Sequence, residues 1–406
     1  MTSSNKLERS PFVEDLIPLI LEASEHYWRR DYVRLIRVSR AWAGPIRKRL
    51  YRHPTLYSFQ ACELLARTLG ENPSLAHLVS GLHLYPCVDE GGRVKPSETA
   101  GLRRLLTIPN LEELSLGGNL SIRAERFLMS LTSPQTIKVL RIDGSTDRLA
   151  TRWPHQQASL EWDSGIAARF RSLKRLELTD IELEIIPPAA RCALPLESVR
   201  LDCVYLTGGF VERLAVGAWS RLRSLHVTAR SASEYNEQVR FLLSACAETI
   251  ESFEYTVLQE EGHGHGEGGD EHAAGSFIDP DPALKFPVLR RVELGSLAVT
   301  PEVLLEVDRR CPVLTDLCVH GRTVLVTPAQ WSEMICNSTW PKLKKLLVPG
   351  GTGPPFVAWS ERIDNPIEEA CIKREIEFCR GESGEFLVGY ASFHVLGFVI
   401  PLLTFR

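Results

Sequence analysis

The chain has 406 residues, of which 44% are hydrophobic and 24% charged, and its formal net charge at pH 7 is −4. These values are ordinary for a soluble globular protein, and they exclude fibrous and wholly disordered classes. The near-neutral balance gives no overall attraction to nucleic acid or to an acidic membrane, so any electrostatic binding must come from a local patch.

Residues 1–10 are polar and are predicted to be a disordered start. The stretch Met1 to Glu14 lacks the apolar core of a secretory signal. The ten cysteines are scattered, without a Cys-x-x-Cys pair or a zinc-type spacing. Together these features predict free thiols in a reducing compartment, either cytoplasmic or nuclear.

Residues 11–56 predict a unit of three short helices. Leu16 and Ile20 lie on one helical face, and Asp31 is a good N-cap for a second helix. Pro45 is expected to open the third helix, since proline suits the first helical position. Three helices in so short a segment bury little core of their own, so such a unit usually packs against a partner.

The same segment contains Val38-Ser39-Arg40 and Trp42 after an apolar helix, and the run 50–56, LYRHPTL, precedes a leucine-rich stretch in which the pattern apolar-x-x-apolar-x-apolar recurs from Val79 to Val348. In this succession it resembles an F-box, and the chain as a whole resembles the fungal F-box/leucine-rich-repeat proteins. F-box domains bind the adaptor Skp1 through the apolar face of these helices. The resemblance implies an adaptor contact formed by Val13, Leu16, Ile17, Ile20, Leu35, Val38 and Trp42.

Two other interpretations of this helical segment stay open. The apolar residues could be the core of a small cap, which repeat arrays need at their ends. The basic residues between 29 and 52 could form a nucleic-acid patch, but aromatic interleaving is limited and no recognised motif accompanies them. We therefore expect a solvated helix face and no nucleic-acid partner.

Residues 57–360 predict an irregular α/β solenoid of leucine-rich repeats, with a strand and a helix in each repeat. Leucine is abundant, at 56 residues, and the pattern apolar-x-x-apolar-x-apolar recurs at intervals of 23 to 39 residues. In each unit the last two apolar residues would face the core of a short strand, and the residue between them would face out. The ten units begin at Val79, Leu111, Ile137, Leu173, Leu196, Leu222, Ile250, Leu289, Leu314 and Leu343.

Helical spacing between the strands predicts the return segments. It is found in residues 125–131, 210–217, 236–247 and 301–310.

Two interruptions lengthen the repeat intervals. The Gly-, His- and acid-rich stretch 259–276 lacks apolar periodicity and is predicted to be a disordered loop. The stretch 143–165 is predicted to be a surface loop.

The last segment, 361–406, is predicted to be a cap followed by a hydrophobic tail. Residues 386–405 carry no formal charge and have the length of a membrane-spanning helix, but a proline, a histidine and two glycines interrupt them. A membrane anchor is therefore one possibility, beside a buried terminal strand or helix, an apolar cap packed on the last structural unit and a gene-model artefact.

The outward-facing strand positions predict a concave binding surface. Their charges have mixed signs, which favours a polar protein ligand over a polyanion, although cross-strand pairing explains part of the pattern. The predicted binding residues are Arg141, Arg175, Glu177, Arg200, His226, Glu254, Arg291 and Glu293.

No local motif raises a nucleophile above background, and the histidines and acids of 259–276 have nothing to preorganise them around a metal. We therefore expect a protein that is not an enzyme and that carries no cofactor and no metal. The leading hypothesis is a substrate-recognition subunit of an SCF-type cullin-RING ubiquitin ligase, linked to cullin through a Skp1-like adaptor. The alternative is a leucine-rich-repeat scaffold without a ligase role, possibly tethered to a membrane by residues 386–405.

Overall fold

The architecture is taken from a computed structural model. It describes residues 12–23, 29–88, 93–145, 157–186, 194–215, 219–230, 232–258, 283–321, 324–337, 339–353 and 357–381. The strands are β1 (Thr55–Leu56), β2 (Gly81–Leu84), β3 (Glu113–Gly117), β4 (Val139–Asp143), β5 (Ser159–Trp162), β6 (Arg175–Thr179), β7 (Glu182–Ile185), β8 (Ser198–Asp202), β9 (Tyr205–Gly208), β10 (Ser224–Ala229), β11 (Ser252–Val257), β12 (Arg291–Gly295), β13 (Asp316–His320), β14 (Lys345–Val348), β15 (Gly351–Thr352), β16 (Val357–Ala358) and β17 (Glu377–Arg380).

The α-helices fall into an amino-terminal group and a set of return segments. The first group is α1 (Phe12–Ala23), α2 (Arg29–Leu35) and α3 (Arg40–Arg52). The others are Phe59–Glu71, Pro73–Ala76, Pro96–Leu106, Glu125–Ser130, Ser164–Arg169, Ala232–Cys246, Pro301–Arg310, Pro328–Cys336 and Glu361–Lys373.

Twelve strands form one main sheet, in the order β1-β2-β3-β4-β6-β8-β10-β11-β12-β13-β14-β17. Every neighbouring pair in it is parallel. Parallel neighbours need a crossover segment between them, and here the helices and irregular returns supply it. The result is a mixed α/β solenoid of the leucine-rich-repeat type.

The repeat motif sets the register of this sheet. Equivalent motif residues are direct partners across strands, as in Leu140↔Leu176 and Leu225↔Phe253. All thirty apolar positions of the ten units are buried, the most exposed being Leu343 at 5%. The predicted repeat strands are therefore confirmed, and their side chains form one continuous core with the return segments.

Two main-sheet strands were not among the ten predicted units. β1 lies within the range predicted for the helical unit, and β17 lies within the range predicted for the cap. β17 pairs in register with β14, and its Phe378 occupies the inward position that leucine, valine or, in β11, Phe253 fills in the other repeat strands.

A second, three-stranded parallel sheet has the order β5-β7-β9. It shows that the predicted surface loop 143–165 was partly wrong, because β5 lies inside it. Leu160 and Trp162 alternate with polar residues and are buried in the core, and Trp162 Nε1 donates to the Leu214 carbonyl at 3.0 Å. The rest of that loop, 146–156, lies outside the described residues.

The return segments follow the predicted spacing in most places. Pro301–Arg310 is helical over the predicted range, with Thr300 as its N-cap. Ala232–Cys246 buries the predicted apolar face, which includes Val239 and Leu242. The stretch 210–217 differs, since Val211–Ala215 forms a 3₁₀ turn rather than an α-helix.

The amino-terminal helices form a small unit with its own core of Ile17, Leu21, Tyr32 and Ile46. The third helix begins at Arg40 rather than at the predicted Gly44-Pro45. The extended residue before it, Ser39, sets this start, so Pro45 lies inside the helix and costs it one backbone hydrogen bond.

Backbone bonds join this helical unit to the solenoid. Ser80 N donates to the Arg52 carbonyl at 2.9 Å, and His83 N donates to the Pro54 carbonyl at 3.1 Å. Tyr51 packs against the main core. The end of α3 is thus built into the first strands of the sheet.

The predictions for the acidic loop and for the hydrophobic tail stay predictions. Residues 259–276 and 386–405 lie outside the described part of the chain, and none of the helices within that part is long and apolar enough to span a membrane. Nine of the ten cysteines are in the described ranges, where they are free thiols.

Removing a core leucine should destabilise the solenoid far more than removing an exposed one. Leu176 in β6 is fully buried, whereas Leu325 is 44% exposed. We expect Leu176→Ala to lower the free energy of unfolding by about 2–5 kcal/mol, because it leaves a cavity. Leu325→Ala is the matched control and should change it by less than about 1 kcal/mol. Urea denaturation would measure both, and equal losses would contradict the assigned register.

Candidate binding surface

The face of the main sheet opposite the core carries polar side chains in register, and we call it the polar face. Its central row is the middle residue of each repeat strand, and the flanking row lies two residues earlier. The central row runs His83, Ser115, Arg141, Glu177, Arg200, His226, Glu254, Glu293, Cys318, Leu347 and Cys379. The flanking row runs Gly81, Glu113, Val139, Arg175, Ser198, Ser224, Ser252, Arg291, Asp316, Lys345 and Glu377.

All eight residues predicted to line the binding surface lie on this face. Six are in the central row, and Arg175 and Arg291 are in the flanking row. Parallel pairing in register is what brings them together, because equivalent residues of successive repeats become direct neighbours. Three ion-pair clusters result.

The amino-terminal cluster is centred on Glu113 and Arg141. The Arg141 guanidinium donates to Glu113 and, at 2.6 Å, to Glu177. His83 Nε2 lies 3.6 Å and His53 Nδ1 lies 4.0 Å from the Glu113 carboxylate. Arg141 thereby bridges two strands, and its two carboxylate partners are more than four-fifths buried.

The central cluster is built on Asp202, which is almost completely buried. It accepts from His226 Nε2 at 2.7 Å and from Thr228 Oγ1 at 3.0 Å, and Arg200 binds its second oxygen. The other histidine nitrogen, Nδ1, lies 2.6 Å from Glu254. His226 therefore bridges two carboxylates on neighbouring strands.

These contacts fix the charge state of the central cluster. Burial alone would lower the pKa of His226, but the hydrogen bonds with Asp202 and Glu254 outweigh it and raise that pKa to about 9. Burial would likewise raise the pKa of Asp202, yet its bonds with His226 and Arg200 hold it below its ordinary value. The imidazole is thus a cation at neutral pH, sharing its two protons with two anions.

The carboxy-terminal cluster joins β12 to β13. Glu293 accepts from Arg291 at 2.8 Å and lies 3.4 Å from His320 Nε2. The hydrogen bond with His320 is the main reason why the pKa of Glu293 falls to about 2. Burial beside that carboxylate raises the pKa of Cys318 to about 12, so its sulfur is a thiol rather than a reactive thiolate.

Sequence reasoning missed several members of these clusters. Asp202, Thr228 and His320 follow the last apolar motif position directly, so they form a third outward row. Extending the two-residue alternation of the strand by one step would have found them. His53 could not be found this way because it lies outside the repeats, at the end of α3.

The residues predicted to contact an adaptor are distributed unevenly over the helical unit. Leu16, Ile20 and Val38 are exposed, at 37%, 41% and 67%. Ile17 is buried in the small core, so it is not accessible to a partner in this structure, in contrast to the prediction for this residue.

Two of the remaining residues predicted to contact the adaptor are less exposed than Leu16, Ile20 and Val38. Leu35 and Trp42 are half-buried against the small core. Val13 lies within α1, and its side chain is outside the described part.

Comparison with known proteins adds little to this geometry. No family model and no curated protein match the chain. Among solved structures, one match is a leucine-rich-repeat protein of Leptospira interrogans, at 13% identity and a TM-score of 0.31, covering 74% of this chain and 72% of that chain. A TM-score this low carries no argument about function, which has to be derived from the surface itself.

The bridging histidine makes stability depend on pH in a defined direction. The pKa of His226 is about 9 in the folded chain and about 6.5 when unfolded, so its contribution is complete below pH 6.5 and is lost as pH rises through 9. We expect His226→Gln to cost about 1–3 kcal/mol of unfolding free energy at pH 6 and less at pH 10. Urea denaturation of both proteins across this range would measure it; a difference that does not change with pH would show that the pKa of His226 is the same in the folded and the unfolded chain.

Proposed function

We propose that this protein is a protein-interaction scaffold that acts as the substrate receptor of an SCF-type ubiquitin ligase. In this proposal the helical unit docks on a Skp1-like adaptor, and through it on cullin, while the polar face holds a protein substrate. The chain would bind and orient, and it would not perform the chemistry itself.

The observation that carries the adaptor half of the proposal is the exposed apolar surface of the helical unit. Leu16, Leu19, Ile20 and Val38 are all more than a third exposed, although their unit has a core of its own. Leu16, Leu19 and Ile20 are at i, i+3 and i+4 spacing and share one face of α1, and exposed apolar side chains on so small a unit favour burial against a second protein. Their positions overlap with those that the F-box resemblance implies.

The substrate half rests on the polar face. Its charges are held in place by partners on the same strand or on a neighbouring one, so little side-chain entropy would be lost when a ligand binds. Arg175, Arg200 and Arg291 each pair with a carboxylate and still keep about half of the side chain exposed. A surface of fixed charges of both signs favours a polar protein segment with the complementary pattern.

Point substitutions test the adaptor contact better than a deletion, because α3 is bonded to the sheet through Arg52. Val38→Asp puts a charge on the most exposed of the apolar side chains that the structure describes in the helical unit. We expect it to weaken binding of the full-length chain to purified Skp1 by more than tenfold, since a buried unpaired carboxylate is costly at an interface. Surface plasmon resonance with immobilised Skp1 would measure the affinity.

Ile372→Asp is the matched control. Ile372 is also 67% exposed, but it lies in the last helix, at the other end of the sheet from the helical unit. It should leave Skp1 binding unchanged. If the unmodified chain does not bind Skp1, the ligase role is wrong, and the alternative function of a scaffold without an adaptor is the one that remains. If the Val38→Asp chain binds Skp1 as tightly as the control does, the adaptor does not contact this face of the helical unit.

A further inference from the structure

Two histidines and one carboxylate converge where the helical unit meets the first repeats. His53 directly follows α3 as its C-cap, His83 is in β2, and Glu113 is the first residue of β3. One donor atom of each lies within 4.8 Å of the donor atoms of the other two. Adjacent strands and a helix end hold them, so the group is preorganised by the fold.

Each histidine is oriented by a serine. His53 Nε2 lies 2.9 Å from Ser80 Oγ, and His83 Nδ1 lies 3.0 Å from Ser115 Oγ. The opposite nitrogens, His53 Nδ1 and His83 Nε2, are thereby turned towards Glu113. A hydrogen bond to the far ring nitrogen is the usual support of a metal-binding histidine.

The separations fit a metal better than direct hydrogen bonds. His83 Nε2 and His53 Nδ1 lie 3.6 and 4.0 Å from the carboxylate, beyond hydrogen-bond distance. Ligand atoms around a tetrahedral ion with bonds of 2.0–2.1 Å are about 3.3 Å apart. Small side-chain rotations would therefore complete the coordination.

The backbone beneath the group leaves room for it. A Cβ on Gly81 would lie 3.0 Å from His53 Cδ2 and 3.2 Å from Glu113 Cβ. Contacts this short would push the two ligands apart, so the missing side chain lets both pack over β2. Arg141 holds Glu113 Oε1, which leaves Oε2 on the side of His53 Nδ1.

We propose that His53, His83 and Glu113 bind a divalent first-row transition metal ion, with Zn²⁺ as the species to test. Two imidazoles and one carboxylate form a known ligand set for such ions, and the exposed side of His53 leaves further positions to solvent. The ion would clamp the end of α3 to β2 and β3. The proposal goes beyond the receptor function and depends on none of the adaptor contacts.

Zinc titration of the metal-free, full-length chain by isothermal calorimetry tests the site. Because His263, His265 and His272 could also bind zinc, all variants carry glutamine at these three positions. We expect that background to bind one equivalent, and His83→Gln or Glu113→Gln to abolish it. Ser115→Ala should weaken binding about 10–100-fold without removing a ligand.

Two controls keep the outcomes distinct. His77→Gln changes an exposed histidine outside the group, and Cys318→Ser changes a second potential ligand group formed with Glu293 and His320. Both should retain the bound equivalent, and circular dichroism should show that every variant is folded. Retention of zinc in a folded His83→Gln chain, its loss with Cys318→Ser, or no binding by the background protein would each overturn the proposal.

Discussion

The in-register parallel pairing of the repeat strands is the constraint on which the rest of the structure depends. Side chains alternate between the two faces of a strand, so a shift of one residue would turn every core residue outwards. The apolar motif prevents this shift, because all thirty of its side chains are buried. Pairing such as Leu82↔Leu114↔Leu140 fixes the core, and it fixes the polar face at the same time.

That register brings charges close together on the polar face. Neighbouring strands lie about 4.8 Å apart, so equivalent residues of successive repeats are within reach of one another. Glu177 lies between Arg141 and Arg200 in the central row, and His226 lies between Arg200 and Glu254. Like charges directly opposite one another destabilise a sheet, and Arg200 and His226 are such a pair. Both contact the Asp202 carboxylate, so this buried anion is a requirement of the fold before it is a feature of binding.

The sequence was sufficient to predict the repeats, the central row of the polar face and several helices, because each of them has a local periodic pattern. It was not sufficient for β17, whose last motif position is Arg380 rather than an apolar residue. The buried strand β5 lay inside a predicted loop because two apolar residues, Leu160 and Trp162, are too few for a pattern. His53 joins Glu113 only through the packing of α3 on the sheet, and no spacing along the chain records that contact.

An internally paired polar face also restricts what it can bind. A ligand charge that displaced His226 from Asp202 would leave a nearly buried carboxylate without its main partner, which costs more than one new ion pair returns. Buried charged groups such as Asp202 and His226 are therefore better suited to hold the exposed arginines in position than to contact a ligand themselves. The half-exposed guanidinium groups of Arg175, Arg200 and Arg291 can gain a second carboxylate without losing the first, because Arg has five donors in a planar fork. Selectivity on this face would thus come from the spacing of these three arginines, which the repeat register determines.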